Sequence, residues 1–290
     1  MKILLAEHFG TCFGVRDAIS EAEQLAIEGP LTILGELVHN PLVRQRLRAQ
    51  GVSEASREET RSTSKRVMIT AHGASDDKRE RWRAAGFEVF DGTCPLVAQA
   101  HDQLKRLVAA GYFPVVIGKR GHVEVRGLTE DFPDAVIVDF AEDVAKLPPR
   151  PRYGVISQTT QPIEHARAIV GAIQKRHPQS EVRFVDTVCK PTKDRQSALR
   201  KLIAEADTIV VVGGRESNNT RQLVAACRLA GRRAIHIERA EELDAKDFAN
   251  VEVVGLTAGT STMPETVEEV FKRLQEISLT HHEQITRNSS

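Results

Sequence analysis

No stretch of this 290-residue sequence is apolar for the roughly 20 residues that a membrane-spanning helix requires. The N-terminal MKILLAEHFG carries too short an apolar run, and no cleavage region, for a secretory signal. Net charge is missing as well, because 40 basic residues meet 40 acidic ones. That balance excludes a broad cationic face for sequence-independent nucleic-acid binding, though not a local cationic pocket for a small anion. Cysteine is scarce: four in the whole chain. Four thiols in a long chain with no export signal point to metal binding or catalysis rather than to a disulfide framework. The Gly-rich pieces GKRGH and VVGGRES match neither a Walker loop nor G-x-G-x-x-G, so neither ATP nor NAD is inferred. A cytoplasmic protein with no membrane or nucleic-acid partner is the default expectation, and the length predicts two or three domains.

What the sequence does have is an internal repeat. After Cys12 comes the helical pattern GVRDAISEAEQLAIEG and then the apolar run PLTILGELVHN. After Cys94 come PLVAQAHDQLKRLVAAG and YFPVVIGKRGHVE, and after Cys189 come KPTKDRQSALRKLIAEA and DTIVVVGGRESNN. Each apolar run closes on a glycine (Gly35, Gly118, Gly213) at nearly one spacing from its cysteine, and a polar group follows: His39-Asn40, His122 with Glu124, and Ser217-Asn218-Asn219. A second set of apolar runs, KRVMITAHGAS, RYGVISQTTQP and VEVVGLTAGTS, stops at His72, Thr159-Thr160 and Thr260-Ser261. The strands FEVFDGTC and VRFVDTVC deliver the second and third cysteines.

Short continuous apolar runs alternating with helices indicate parallel sheet buried on both faces. The expected fold is α/β, with three pseudo-symmetric parallel-sheet units: 1–93 with Cys12, 94–188 with Cys94 and 189–278 with Cys189, followed by a polar C-terminal tail, 279–290. Ligands in such folds collect at the carboxyl ends of strands, where every one of these clusters falls. Three thiolates at matched positions suit a soft metal or an iron–sulfur cluster in a shared cavity. Cys227, on the apolar stripe of RQLVAACRLAG, reads as a buried small hydrophobe. His8, His101, His165, His177, His236, His281 and His282 read as structural or surface residues. His39, His72 and His122 stand where imidazoles bind phosphate oxygens or carry protons. Glu124 is the carboxylate within these clusters and a natural proton donor if its pKa is raised. The Ser, Thr and Asn residues at presumptive helix starts serve phosphate binding, ordinary N-capping, or both.

The motifs GTCFGV, ELVHN, TAHG, DGTCPLV, GHVEVRG, SQTT, VDTVC, ESNNTRQL and TAGTS occur in this order across almost the whole chain. Together they resemble the 4-hydroxy-3-methylbut-2-enyl diphosphate reductase family, also called IspH/LytB, which ends the non-mevalonate isoprenoid pathway. The resemblance implies a trefoil of three α/β units around one [4Fe–4S] cluster with three Cys ligands, Cys12, Cys94 and Cys189, and one open iron. It implies that His39, His72, His122, Ser217, Asn219 and Ser261 hold the substrate diphosphate, with Asn218 beside them. Glu124 would relay protons, with Thr159 near the substrate hydroxyl, and ferredoxin or flavodoxin would donate the electrons. The implied products are isopentenyl and dimethylallyl diphosphates.

The sequence departs from the usual family pattern at Phe13, at Arg16-Asp17, at Lys119-Arg120, at Val123 between His122 and Glu124, at Pro191 after Cys189 and at Asn218, and it lacks the longer C-terminal segment. Those departures keep open a divergent, non-catalytic or redox-sensing paralogue that binds a cluster or an isoprenoid diphosphate. A third reading is a zinc hydrolase using His39, His72 or His122.

Overall fold

The computed structural model describes residues 1–288. In chain order its strands and α-helices are β1 (Lys2–Leu5), α1 (Phe13–Glu28), β2 (Thr32–Leu34), α2 (Pro41–Ala49), β3 (Ser53–Ala55), β4 (Arg66–Ile69), α3 (Asp76–Ala84), β5 (Glu88–Asp91), α4 (Pro95–Ala109), β6 (Phe113–Ile117), α5 (Val123–Thr129), β7 (Val136–Val138), β8 (Arg152–Ser157), α6 (Ile163–Arg176), β9 (Glu181–Phe184), α7 (Lys190–Glu205), β10 (Thr208–Val212), α8 (Asn218–Leu229), β11 (Arg233–Ile237), β12 (Val253–Ala258) and α9 (Pro264–Asn288). Of the expected tail, the part up to Asn288 continues α9, and residues 289–290 lie outside the described residues. No described helix is long and apolar enough to cross a membrane.

The strands form three four-stranded sheets, ordered β3-β2-β4-β5, β7-β6-β8-β9 and β1-β12-β10-β11, and every pairing is parallel. The expected α/β class with three parallel sheets is what the chain adopts. Read from the β11 edge, the last sheet has the same order as the other two: second strand, first, third, fourth. Its fourth strand is β1, from the far end of the chain. The fourth strands β1, β5 and β9 are the ones that lead into Cys12, Cys94 and Cys189.

The chain divides into two compact units. One comprises Met1–Cys12, His39–Pro41 and the chain from Lys190 onward, and holds the β1-β12-β10-β11 sheet. The other comprises Phe13–Val38 and Leu42–Cys189, and holds the other two sheets. In the first unit the run TIVVV of β10 is wholly buried, as a central parallel strand covered on both faces must be. One of its faces packs with Leu256, Val267, Val270 and Leu274, the other with Leu199, Leu223 and Cys227.

In the second unit, α4 starts with Pro at its first position, where the missing N–H costs nothing. It buries Ala100, Leu104 and Leu107 at helical spacing against Val116, Val125 and Ile156. Helix α3 is capped by Ser75, whose hydroxyl accepts from the Lys78 N–H. Asp76 and Asp77 sit in its first turn and Arg81 and Arg83 in its last, each favoured by the helix dipole.

Candidate active site

Parallel strands present their carboxyl ends on one side of a sheet, and the loops leaving those ends carry the chemistry. In the first unit the loops after β1, β10 and β12 are tied together. The Cys12 N–H donates to the Thr260 carbonyl at 3.2 Å, and the Thr11 hydroxyl donates to the Thr262 carbonyl at 2.6 Å. Gly10 has φ +69, so the turn before Cys12 uses a conformation that L side chains rarely adopt. The Arg195 guanidinium, from α7, donates to the Gly10 carbonyl. Ser261 joins the His39 segment to this loop. Its hydroxyl donates to the His39 carbonyl at 3.2 Å, while the Asn40 side-chain amide donates to the Ser261 carbonyl at 2.5 Å.

Gly214 makes room for the same segment, since a Cβ there would lie 2.4 Å from the His39 carbonyl oxygen. Ser217 caps α8 by accepting from the Thr220 N–H at 3.3 Å. Asn219 accepts from the Thr260 N–H at 3.0 Å. Ser217, Asn218, Asn219 and Ser261 are all buried polar residues. Within this unit, hydrogen bonds through the Thr260–Ser261 loop therefore join Cys12, His39, Asn219 and Ser261, and Ser217 and Asn218 precede Asn219 at the start of the same helix.

A second constellation fills the other unit. The Cys94 N–H donates to the Ala71 carbonyl at 3.1 Å, placing the second cysteine beside the His72 loop. The His72 and His122 ring centroids lie 5.8 Å apart, edge to face. Gly127 permits this approach, because a Cβ there would meet the Gly73–Ala74 backbone at 3.3–3.4 Å. His122 caps α5, its Nδ1 accepting the Glu124 N–H at 3.2 Å. An amide can only donate, so in the neutral His122 ring the proton sits on Nε2.

Glu124 is 2 % exposed. Burial raises its pKa to about 7, against hydrogen bonds from Thr159 that favour the carboxylate. Its Oε1 accepts the Thr159 N–H at 2.6 Å. The Thr159 carbonyl in turn accepts the Cys189 N–H at 2.9 Å. Cys94, His72, His122, Glu124, Thr159 and Cys189 thus form one continuous series of contacts.

All four cysteines lie outside disulfides. Cys12, Cys94 and Cys189 are partly exposed, and Cys227 is buried. Burial lifts the Cys227 thiol to about 11, which fits the small-hydrophobe reading and argues against a ligand role. His101, His165 and His236 do structural work. His165 and His236 bond the carbonyls of Asp139 and Gly213, each at 2.8 Å. His101 Nε2 lies 3.0 Å from Asp131, which also accepts the Asp76 and Asp77 N–H groups at the start of α3. Asp76, His101 and Asp131 converge closely enough to hold a metal ion, but Lys105, 2.5 Å from Asp76, already supplies a cation there.

The family described as LytB protein matches residues 3–275. The chain belongs to the LytB family. It is 37% identical over 283 residues to the 4-hydroxy-3-methylbut-2-enyl diphosphate reductase of Aquifex aeolicus, covering 96% of this chain and 97% of that protein. It is 38% identical to the reductase of the same name from Geobacter sulfurreducens, covering 95% and 98%. Among solved structures it resembles the E-1-hydroxy-2-methyl-but-2-enyl-4-diphosphate reductase of Plasmodium falciparum, with TM-score 0.88, 27% identity and 93% and 87% of the two chains covered. A structure of (E)-4-hydroxy-3-methyl-but-2-enyl diphosphate reductase, titled the terminal enzyme of the non-mevalonate pathway, matches at TM-score 0.68 and 36% identity, covering 95% of this chain and all of the other.

Two of this LytB-family chain's departures have local explanations. Pro191 lies in the first turn of α7, where proline is tolerated, and its carbonyl accepts from Arg195 at 2.9 Å. Val123 occupies the first position of α5, which needs no side-chain hydrogen bond. Sequence reasoning missed Gln158. Its side chain accepts the Lys119 N–H at 3.1 Å and donates to the Thr160 hydroxyl at 3.2 Å, joining the loops after β6 and β8. The available signal was an amide directly after a buried apolar strand, where an unpaired polar group is costly.

Proposed function

We propose that this chain is a 4-hydroxy-3-methylbut-2-enyl diphosphate reductase, which removes the allylic hydroxyl of its substrate to give isopentenyl and dimethylallyl diphosphates. Two electrons and two protons enter, and water leaves. In this reading Cys12, Cys94 and Cys189 hold one [4Fe–4S] cluster with one iron open. When bound, the cluster supplies the electrons and a Lewis acid for the alcohol oxygen. The donor set supports this. Three partly exposed thiols follow equivalent strands, and a Cβ at Gly14 would lie 2.4 Å from the Cys94 sulfur, so glycine leaves the space that sulfur uses. Ferredoxin or flavodoxin is the proposed electron donor, because the remaining thiol, Cys227, is a single buried group.

His39, His72, His122, Ser217, Asn219 and Ser261 bind the diphosphate in this reading, with Asn218 beside them. His122 supports the role, since its Nδ1 accepts a backbone N–H and its ring proton is therefore on Nε2, in the form that donates to an anionic oxygen. Holding the charged end fixes where the allylic carbon lies.

The observation that carries the reading is Glu124. A buried carboxyl with a pKa near 7 is protonated in a large share of molecules at neutral pH and can give its proton to a departing hydroxyl. The Thr159 N–H on Oε1 fixes the carboxyl orientation, and the Thr159 side chain, also hydrogen-bonded to that carboxyl, passes the proton on in this reading. The test is anaerobic purification, iron and sulfide quantification, and turnover of the hydroxylated diphosphate with dithionite-reduced viologen. Brown protein and turnover are expected. A fully loaded protein that does not turn over the substrate overturns the assignment.

A further inference from the structure

We propose that Arg57 is a positioning residue for His72. Acting through the Thr70 hydroxyl, it holds the imidazole as the Nε2–H tautomer and so presents an N–H donor to the diphosphate. The proposal rests on the reading above that His72 grips that group.

Arg57 lies between β3 and β4, and its guanidinium reaches three points around the His72 turn. Nε donates to the Leu34 carbonyl at 2.8 Å, Nη1 to the Gly73 carbonyl at 3.4 Å, and Nη2 to the Thr70 hydroxyl oxygen. Two of these anchors, Thr70 and Gly73, flank His72 in the chain. Room for the guanidinium is built in: a Cβ at Gly35 would stand 2.4 Å from the Arg57 Nε. Gly35 has φ +91, a further reason for glycine there.

The direction of the hydrogen bonds follows from the chemistry of the groups. A guanidinium has donors and no acceptor, so Thr70 Oγ1 must accept from Arg57. Thr70 is wholly buried, and leaving its hydroxyl hydrogen without an acceptor would be costly. The remaining partner of that hydroxyl is His72 Nδ1, at 3.5 Å. With Nδ1 accepting, the ring proton is on Nε2. His122 reaches the same tautomer by another route, with its Nδ1 taking the Glu124 N–H. The two neighbouring imidazoles are thus preset alike, each with its ring proton on Nε2. Arg57 stays charged at neutral pH although burial and the nearby Arg126 lower its pKa to about 10.

The test uses anaerobically purified full-length protein with 15N-labelled histidine and inorganic pyrophosphate as the probe. Long-range proton–nitrogen correlation should show His72 as the Nε2–H tautomer, with its signals identified by their loss in His72→Asn. Thr70→Val keeps the volume and removes the hydroxyl. It should mix the tautomers and weaken pyrophosphate binding about tenfold, the worth of one charge-assisted hydrogen bond. Arg57→Met should act in the same direction, and Thr70→Ser should restore both readouts.

In turnover, Thr70→Val should raise KM far more than it lowers kcat. A protonated Nδ1 in the wild type, or unchanged pyrophosphate affinity in Thr70→Val, overturns the proposal. Weakening in His72→Asn without weakening in Thr70→Val sinks the positioning role alone. No weakening in His72→Asn sinks the diphosphate reading with it.

Discussion

Thr159 is bonded through its peptide groups on both sides: its N–H donates to Glu124 Oε1 at 2.6 Å and its carbonyl accepts the Cys189 N–H at 2.9 Å. The buried acid is therefore tied to the third cysteine loop through the Thr159 main chain. If Glu124 delivers the proton, Glu124→Gln keeps the shape and the Thr159 bond while removing the proton source. Turnover should fall by about 10²–10⁴-fold, the usual worth of general acid catalysis. Pyrophosphate affinity and iron content should stay at wild-type values. Calorimetric titration beside the turnover assay checks this, and an equal loss of binding would count against a proton-transfer role.

The same residue gives a pH dependence of stability. The folded-state pKa of Glu124 is raised to about 7 from an ordinary 4.5, so the folded protein binds its proton more tightly than the unfolded chain does. Stability from this group is complete below pH 4.5, declines between there and pH 7, and levels off above. The full penalty at high pH is about 3 kcal/mol, from the size of the shift. Glu124→Gln should therefore unfold at higher urea concentration than the wild type at pH 8, and the gap should close as pH falls toward 5. An unchanged gap across that range would mean the carboxyl is not held neutral by burial.

The three parallel sheets were legible because each buried run and each amphipathic helix obeys its own period, and the repeat gave three copies to compare. The pairing of β1 with β12 was not legible. KILLAEHFGTC stands to Cys12 as FEVFDGTC stands to Cys94, but its sheet partners lie some 250 residues away, Lys2 opposite Val253. Local patterning carries no information about a partner so distant.

The site showed the same division. Cys94, His122 and Glu124 were visible as reactive residue types after strands. Arg57 was not, because SREETRSTSK reads as a solvated charged loop, and only the tertiary fold brings its guanidinium to Thr70. The elevated pKa of Glu124 likewise arises from burial, which sequence position alone does not fix.

Gly14 offers a test of the cysteine assignment that leaves every thiol in place. A Cβ there would come within 2.4 Å of the Cys94 sulfur and 3.1 Å of its Cβ. The closest atom is the end of a side chain that can rotate, so Gly14→Ala should fold and displace the sulfur instead. Iron and sulfide per chain should fall well below the wild-type values after anaerobic reconstitution, with the circular dichroism spectrum preserved. Cys227→Ala, which removes the buried thiol of the apolar stripe, should leave the iron content unchanged. Equal iron in wild type and Gly14→Ala would argue that Cys94 does not hold the cluster.

Gly214 provides the matching test of the diphosphate assignment in the other unit. Here the obstacle to a Cβ is backbone, the His39 carbonyl oxygen at 2.4 Å, with the carbonyl carbon at 3.3 Å. No side-chain rotation can relieve that, so in Gly214→Ala the His39 segment must move. Two hydrogen bonds hold the segment from its far side, from the Ser261 hydroxyl to the His39 carbonyl and from the Asn40 amide to the Ser261 carbonyl. Asn40→Leu should loosen it from that side without adding bulk at residue 214.

Both variants should raise KM for the diphosphate substrate about tenfold while lowering kcat much less, since the loss is in gripping the charged end rather than in proton delivery by Glu124. Iron content should be unaffected in both. If kcat collapses while KM holds, His39 acts on the chemical step, and its place among the diphosphate ligands would have to be given up.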